Sequence, residues 1–560
     1  MGDSTASGAC GCRSVAERLD PVTLEILWSR LIGVANEQAA ALMRTSFTPI
    51  VRESGDLSAA VFDVEGRMLA QAVTGTPGHI NALATGMRHF LATFPPGELR
   101  PGDVLITNDP WQTSGQLNDL SVVTPVFRDR QLVGFFGNTC HAVDIGGRGL
   151  SADASEVFEE GLWIPVTKLY DRGRPNEELL KLLAANVRAP DEVLGDLHAQ
   201  VAGNQVGADR LLEYLKEFGL ADLASLGAEV LGRSERALRD SISALPDGEH
   251  RHVIHCDGIE EPIEIRCLLR ITGDRLEVDY SGTSPQSASG MNVVLNYTRA
   301  YTSYALKCAI CPEVPHNDGS FRPILITAPE GSILNARFPA PVAARHIIGQ
   351  ALPHAVFGAL SQVIPDRVMA EGSGNVWLTT VRGAGSKRFV TVIFNAGGTG
   401  ARPGLDGLST TSFPSGIATA PVEVIETTSP IVFRRKELRT DSGGPGRYRG
   451  GLGQTIELEV RTGEPYVVSV LCDRLKFPAQ GYRGGSQGAP GGFVTSKGER
   501  PEPKHSRLLP AGTGFTLELP GGGGLQPASE RDPAAIAEDV AEGLVSLEAA
   551  ARHYGHRAGD

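Results

Sequence analysis

Cysteine is scarce, with eight in 560 residues at positions 10, 12, 140, 256, 267, 308, 311 and 472, which excludes a disulfide framework and implies reduced thiols. Long apolar runs are missing as well. No stretch approaches the ~20 residues that cross a bilayer, and Met1 to Arg13 lacks a hydrophobic signal core. A cytoplasmic protein with no membrane partner is therefore expected. Positive charge is in deficit, with 52 Lys and Arg against 65 Asp and Glu for a net charge of −13. The basic residues are dispersed, which excludes an electrostatic footprint for nucleic acid. Among 67 glycines no Gly-x-x-x-x-Gly-Lys-Ser/Thr loop occurs, so the chain has no self-contained nucleotide site of that kind. An internal repeat is also absent. At this length two or three domains with substantial cores are expected.

What is present reads as a multidomain α+β chain. Residues 1–17, rich in Gly, Ser and Ala, read as a disordered leader. Asp20-Pro21 then supplies an N-cap and a favoured first helical residue, and Leu24, Leu27, Leu31 and Ala35 continue at helical spacing to about Arg44. Ser58 to Asp63 and Arg67 to Gln71 predict a hairpin, and a helix follows from near His79, making 18–174 a mixed α/β domain. Across 175–248, Leu, Ala, Glu and Arg repeat at helical spacing and predict a layer of three helices. Alternation returns from His250 to Tyr280. Helices at Tyr297–Ile310 and Ile348–Val363 and strands at 376–382 and 388–395 complete a second mixed α/β domain over 249–420. Residues 421–526, with β-prone segments between Gly/Pro-rich turns, predict a β-rich domain. The stretch 527–560 opens on the N-cap pair Asp532-Pro533 and predicts a C-terminal helix and tail.

The chemistry gathers around one predicted hairpin. Leu120 to Phe127 and Gln131 to Asn138 are rich in Val and Phe and flank the turn Arg128-Asp129-Arg130. Pairing them brings Asp119, just before the first strand, near His141, just after the second. Carboxylate and imidazole are common ligands at catalytic divalent-metal sites. The other reading has Asp119 capping the strand turn and His141 hydrogen-bonded within the hairpin. Asp144 reads as shaping its Asp-Ile-Gly-Gly turn, with orientation of His141 as the alternative, and Asp109 before Pro110 as fixing a loop. His79 follows Gly75-Thr76-Pro77-Gly78 at a helix N-terminus, which would favour an anionic or phosphorylated group; an ordinary histidine near a cap is the other reading. Arg402, in Gly400-Ala401-Arg402-Pro403-Gly404, carries a guanidinium that forks onto phosphate or carboxylate. Two patterns are set aside. Alternation puts His250 and His252 on one strand face and His255 on the other. Cys308-Ala309-Ile310-Cys311 lacks the second ligand pair of a closed zinc site and reads as packing.

The run NDPWQTSGQLNDLSVVTPVF (108–127), followed by LVGFFGNTCHAVDIGG (132–147), resembles the signature of the hydantoinase B/oxoprolinase family. That family includes N-methylhydantoinase B subunits and the related subunits of acetone and acetophenone carboxylases. Further resemblance lies in RESGDLSAAVFD (52–63), DYSGTSPQS (279–287), FPAPVAARH (338–346), GGTGARPGLDGLS (397–409), FPSGIATAPVEVIE (413–426) and DSGGPGRYRGGLG (441–453). The matches keep their order over roughly residues 18–555, so the likeness spans nearly the whole chain.

The resemblance implies a B-type subunit of an ATP-dependent cyclic amidase, a hydrolase that opens a hydantoin or a lactam such as 5-oxoproline. ATP would bind a separate hydantoinase A-type partner in a hetero-oligomer. It also places Arg52, Glu53, Asp56 and His79 in family motifs near the site. The alternatives are a subunit of an ATP-dependent ketone carboxylase and a non-catalytic assembly subunit. In much of the family the position of Gln116 looks like a His, giving three metal ligands with Asp119 and His141. A Gln carbonyl is a neutral oxygen ligand suited to harder cations, so magnesium or manganese is favoured over zinc. The expected metal set is Asp119, His141 and Gln116, and the expected catalytic set is Asp119, His141, His79 and Arg402.

Overall fold

The computed structural model describes residues 20–73, 75–386 and 388–556. The leader expected at 1–17 lies outside them. The first unit is built on a seven-stranded antiparallel sheet of β1 (Leu57–Phe62), β2 (Met68–Gln71), β3 (Val104–Thr107), β4 (Asp119–Arg128), β5 (Gln131–His141), β6 (Thr167–Asp171) and β7 (Arg174–Pro175). Its order is β2-β1-β5-β4-β3-β6-β7. Both faces are covered. On one side lie α1 (Pro21–Thr45) and, beyond the single turn α2 (Pro49–Arg52), α5 (Pro190–Glu217); on the other lies α3 (Pro77–Thr93). Phe136 packs with α1 and α5, whereas the adjacent Phe135 packs with α3. A sheet buried on both faces needs near-continuous apolar strands. That need explains the Val/Phe-rich runs of β4 and β5.

The three helices expected at 175–248 form as α4 (Glu177–Asn186), α5 and α6 (Ala224–Ser243). Asp20 caps α1 by accepting from Val22 and Thr23 N–H, both at 3.1 Å. Glycine on α5 sets how closely it approaches the sheet: a Cβ at Gly207 would stand 2.6 Å from the fully buried ring of Phe136.

The second sheet comprises β8 (Gly248–Cys256), β9 (Ile263–Thr272), β10 (Arg275–Asp279) and β11 (Ile324–Thr327), in the order β11-β10-β9-β8. α7 (Leu295–Ile310) packs on α3, and α9 (Leu352–Leu360) packs on β8 and β9. The single helix predicted at Ile348–Val363 is instead a short α8 (His346–Gly349) followed by α9. Pro353 has no N–H to return to Gly349, so the first helix ends there. His250 and His252 share a face of β8 and His255 points to the opposite, exposed side. Of the CxxC pair, Cys311 is buried and Cys308 exposed.

The C-terminal part is a pair of four-stranded sheets around one apolar core. One sheet runs β13 (Val390–Asn395), β12 (Trp377–Gly383), β16 (Tyr466–Leu471), β18 (Ser506–Leu509), and the other β14 (Ile431–Leu438), β15 (Gln454–Val460), β19 (Phe515–Glu518), β17 (Gly492–Thr495). The boundary drawn at 420 therefore cuts through a sheet. β12 and β13 precede it in sequence, yet β12 pairs with β16, for example Thr380 with Ser469. Asp257, in the loop after β8, accepts backbone N–H groups from Leu475, Lys476 and Phe477 at 2.6 to 3.1 Å and ties the second sheet to this sandwich. Beyond it, Asp532 caps a helix at Pro533–Ala541. Among the described residues no helix is long and apolar enough to cross a membrane.

The close approach of α5 is open to direct measurement. Gly207→Ala gains about 1 kcal/mol of helix propensity but overpacks Phe136, for a net loss of about 1–2 kcal/mol. Gly33→Ala, in α1 with open space around it, is stabilising by about 0.5–1 kcal/mol. Calorimetric midpoints should move in opposite directions for the two variants.

Candidate functional site

The β4–β5 ladder sets the first pair of groups. Asp119 and His141 are direct cross-strand partners, and His141 Nδ1 lies 3.0 Å from Asp119 Oδ1. Gln116, in the turn before β4, donates its amide to the same Asp119 oxygen at 2.7 Å. Next along the sheet, β1 pairs with β5, and the turn before it delivers Asp56, whose carbonyl accepts the His141 N–H at 3.3 Å. The start of α3 supplies His79. Its Nε2 stands 3.1 Å from Asp119 Oδ2 and its Nδ1 3.5 Å from Asp56 Oδ1. Thr76, the N-cap residue of α3, donates its hydroxyl to Asp56 at 3.1 Å. The helix start thus faces a carboxylate of the protein itself rather than an open anion site.

Arg345 completes the cluster from the loop that enters α8. It ion-pairs with Asp119 Oδ2 and donates through Nε to the carbonyl of Ser114. Its guanidinium lies 4.1 Å from the ring centre of Tyr297, a cation–π contact on α7. A side chain at Gly78 or Gly349 would strike that ring, so both turns need glycine to close around it.

Asp119 has no solvent exposure, which by itself would raise its carboxyl, but His79 and Arg345 beside it hold it well below the ordinary value. Burial opposes protonation of His79; Asp119 and Asp56 outweigh that and raise it above the usual imidazole value. His346 goes the other way. Burial and the neighbouring Arg345 push it down to about 3, so it is neutral.

Asp56, His79, Gln116, His141, Arg345 and His346 line a cavity of about 30 Å³, walled on its apolar side by Val376, Leu378, Phe394 and Ile417. That volume holds a water or two, or an ion, and not a substrate ring. Four buried polar atoms around it make no hydrogen bond: His79 Nδ1, Gln116 Oε1, His141 Nε2 and His346 Nε2. Among the described residues no group of three or more His, Cys, Asp or Glu is arranged to hold a metal ion. The set expected for one, Asp119, His141 and Gln116, does come together, with His141 Nε2 and Gln116 Oε1 making no hydrogen bond and both Asp119 oxygens engaged by neighbouring side chains.

The structure brings Asp119, His141, Gln116 and His79 together and leaves Arg402 elsewhere. Arg402 donates through Nε and Nη2 to the carbonyl of Asp406, at 3.1 and 2.9 Å, and closes its own glycine-rich turn. Asp144 shapes its turn, accepting from Gly146 N–H at 3.3 Å, and is anchored by Arg188 at 2.6 Å. Asp109 accepts from Trp111 N–H at 2.9 Å and fixes its loop. Arg52 points outward and pairs with Glu53, while Asp56 of the same motif lines the cavity. Arg345 and His346 were not singled out from sequence. The one signal for them was their place in the stretch FPAPVAARH.

Four buried side chains, from Gln116, His141, His79 and Arg345, thus converge on the one carboxylate of Asp119. The chain belongs to the hydantoinase B/oxoprolinase family, whose model matches residues 20–526. It is 32% identical over 572 residues to a putative D-/L-hydantoinase B-type subunit of a Pseudomonas species, strain NS671, covering 96% of this chain and 95% of that one. It also superposes on the crystal structure of the ATP-dependent caprolactamase from Pseudomonas jessenii with a TM-score of 0.88 and 27% identity, covering 96% of this chain and 97% of that chain. A nucleotide-free acetone carboxylase structure shares the fold, with a TM-score of 0.87 at 18% identity over 96% of this chain and 80% of the other.

The dependence of the cluster on Asp119 gives a stability test. Asp119→Ala leaves the Arg345 guanidinium buried without its carboxylate, at a cost of about 3–5 kcal/mol. Adding Arg345→Met removes the stranded charge, so the double variant should melt above Asp119→Ala alone in calorimetry.

Proposed function

We propose that this chain is the B-type subunit of an ATP-dependent enzyme that opens a cyclic amide, a hydantoin or a lactam, after a partner subunit has activated the ring carbonyl. The observation that carries this reading is the end-to-end kinship with a hydantoinase subunit of the B type, together with a buried carboxylate and imidazole cluster on the residues that define the family signature. An unactivated lactam carbonyl is a poor electrophile. Phosphate on its oxygen supplies a leaving group and lowers the barrier to attack by water. The sequence has no phosphate-binding loop of the Gly-Lys-Ser/Thr kind, which fits ATP being handled by an A-type partner.

Within this chain the division of work follows from position. Asp119, His141 and the Gln116 oxygen are the groups that would hold a divalent ion, manganese or magnesium by donor type, and such an ion would lower the pKa of a bound water. Arg345 and His79 keep Asp119 ionised. His79, held between the carboxylates of Asp119 and Asp56 at the cavity wall, is the group placed to donate a proton there. Val376, Leu378, Phe394 and Ile417 exclude bulk water from the reacting end.

The test is turnover by this chain combined with its ATP-binding partner, supplied with hydantoins, 5-oxoproline or simple ketones and with labelled bicarbonate. The expected result is ADP with an unlabelled ring-opened product, reduced about 100-fold or more by Asp119→Asn or His141→Ala. Label in a carboxylated product would replace the amidase reading with a ketone carboxylase. Ring opening that survives both substitutions would leave the chain an assembly role.

A further inference from the structure

Residues 336–345, the loop that carries Arg345, form no regular element, and their backbone is fixed by side chains from distant segments and by backbone bonds such as Ala344 N–H to Gly290 C=O at 2.7 Å. Trp111 Nε1 donates to the carbonyl of Ala336 at 3.1 Å, and Asn292 Nδ2 donates to that of Pro341 at 3.0 Å. Glu160 acts at the critical place. A single oxygen, Oε1, accepts both the Val342 N–H at 2.6 Å and the Ala343 N–H at 2.8 Å. Those residues open the turn closed by Arg345 N–H to Val342 C=O at 3.0 Å. Immediately beyond, the Arg345 side chain reaches Asp119.

We infer that Glu160 is a positioning residue for the reaction: by holding the Val342–Ala343 amides it sets where the Arg345 guanidinium meets Asp119. Glu160 does not line the cavity, and its hydrogen bonds go to the backbone of the loop. Val342 and Ala343 are buried, so losing Glu160 takes from two buried N–H groups the acceptor they use. Burial pushes the Glu160 carboxyl up to about 8, against the pull of those two amides, so it is an uncharged acceptor at neutral pH. Its second oxygen has no partner. A glutamine carbonyl would serve the same two amides, whereas an aspartate is a methylene too short to reach them.

The inference rests on the proposed reaction for its kinetic consequence and on geometry alone for its structural one, so both are measured. In a crystal structure of Glu160→Asp, Arg345 should have left Asp119 while the sheets superpose on the wild type; an unmoved Arg345 would overturn the inference whatever the enzyme's substrate. In turnover with the ATP-binding partner, Glu160→Asp should lower kcat by about 10- to 100-fold with little change in KM. Glu160→Gln should restore most of it. In an Arg345→Met background Glu160→Asp should cost nothing further, because both changes remove the same placement. Full additivity of the two would assign Glu160 a separate role and refute the positioning reading. Absence of turnover by the wild type itself would count against the proposed reaction only, leaving the crystal structure to decide on Glu160. If Glu160→Asp does not fold, Glu160→Gln decides: a carbonyl on the same two amides should leave Arg345 on Asp119 with kcat near that of the wild type, and displacement of Arg345 would overturn the inference.

Discussion

Taking a carboxylate fully out of water costs on the order of several kcal/mol, and Asp119 is such a carboxylate, so the surrounding architecture has to supply it with charge and donors from every side. It receives an amide from Gln116, imidazole nitrogens from His141 and His79, and a guanidinium from Arg345. Each comes from a different piece of the chain: the turn before β4, the end of β5, the start of α3 and the loop before α8. The requirement to satisfy one buried acid thereby fixes the relative positions of the first sheet, α3 and the central helices. The same requirement leaves other polar atoms facing inward without hydrogen bonds, and these give the cavity its chemistry.

The second constraint is packing on both faces of the first sheet. β4 and β5 are the inner strands that carry Asp119 and His141, and covering them by α1 and α5 on one side and α3 on the other buries both residues. Close helix approach depends on small residues such as Gly207 and Gly203 on α5, where a Cβ would meet Phe136 and Leu42. α3 serves both purposes. Its middle fills the core through Leu83, Met87 and Phe90, and its first turn presents His79 to the cavity.

Much of this is local and was legible in the residues. The hairpin of β4 and β5 has Val- and Phe-rich runs on either side of a polar turn, so the neighbourhood of Asp119 and His141 followed from counting along two strands. The three helices after residue 175 followed from periodicity. Arg345 was not legible, because its partner Asp119 is 226 positions away and nothing in the intervening pattern joins them. Arg402 was misleading for the converse reason: a glycine-flanked arginine looks free for an anion until the turn is closed and its guanidinium meets the Asp406 carbonyl. The boundary at 420 failed on a long-range pairing, since β12 finds β16 only after some ninety residues of intervening chain.

By itself, the sequence determined the strand pair that joins Asp119 to His141, the helical layer, the family and the absence of a phosphate-binding loop, because each is written in short-range spacing or in residue type. The tertiary structure alone decided that Arg345 joins that pair from 226 positions away, that Arg402 does not, and that the strands before residue 420 complete the C-terminal sandwich. The physical reason is the same in every case. Buried charge and strand pairing are settled by which segments meet across the core, and a linear reading has no measure of that distance.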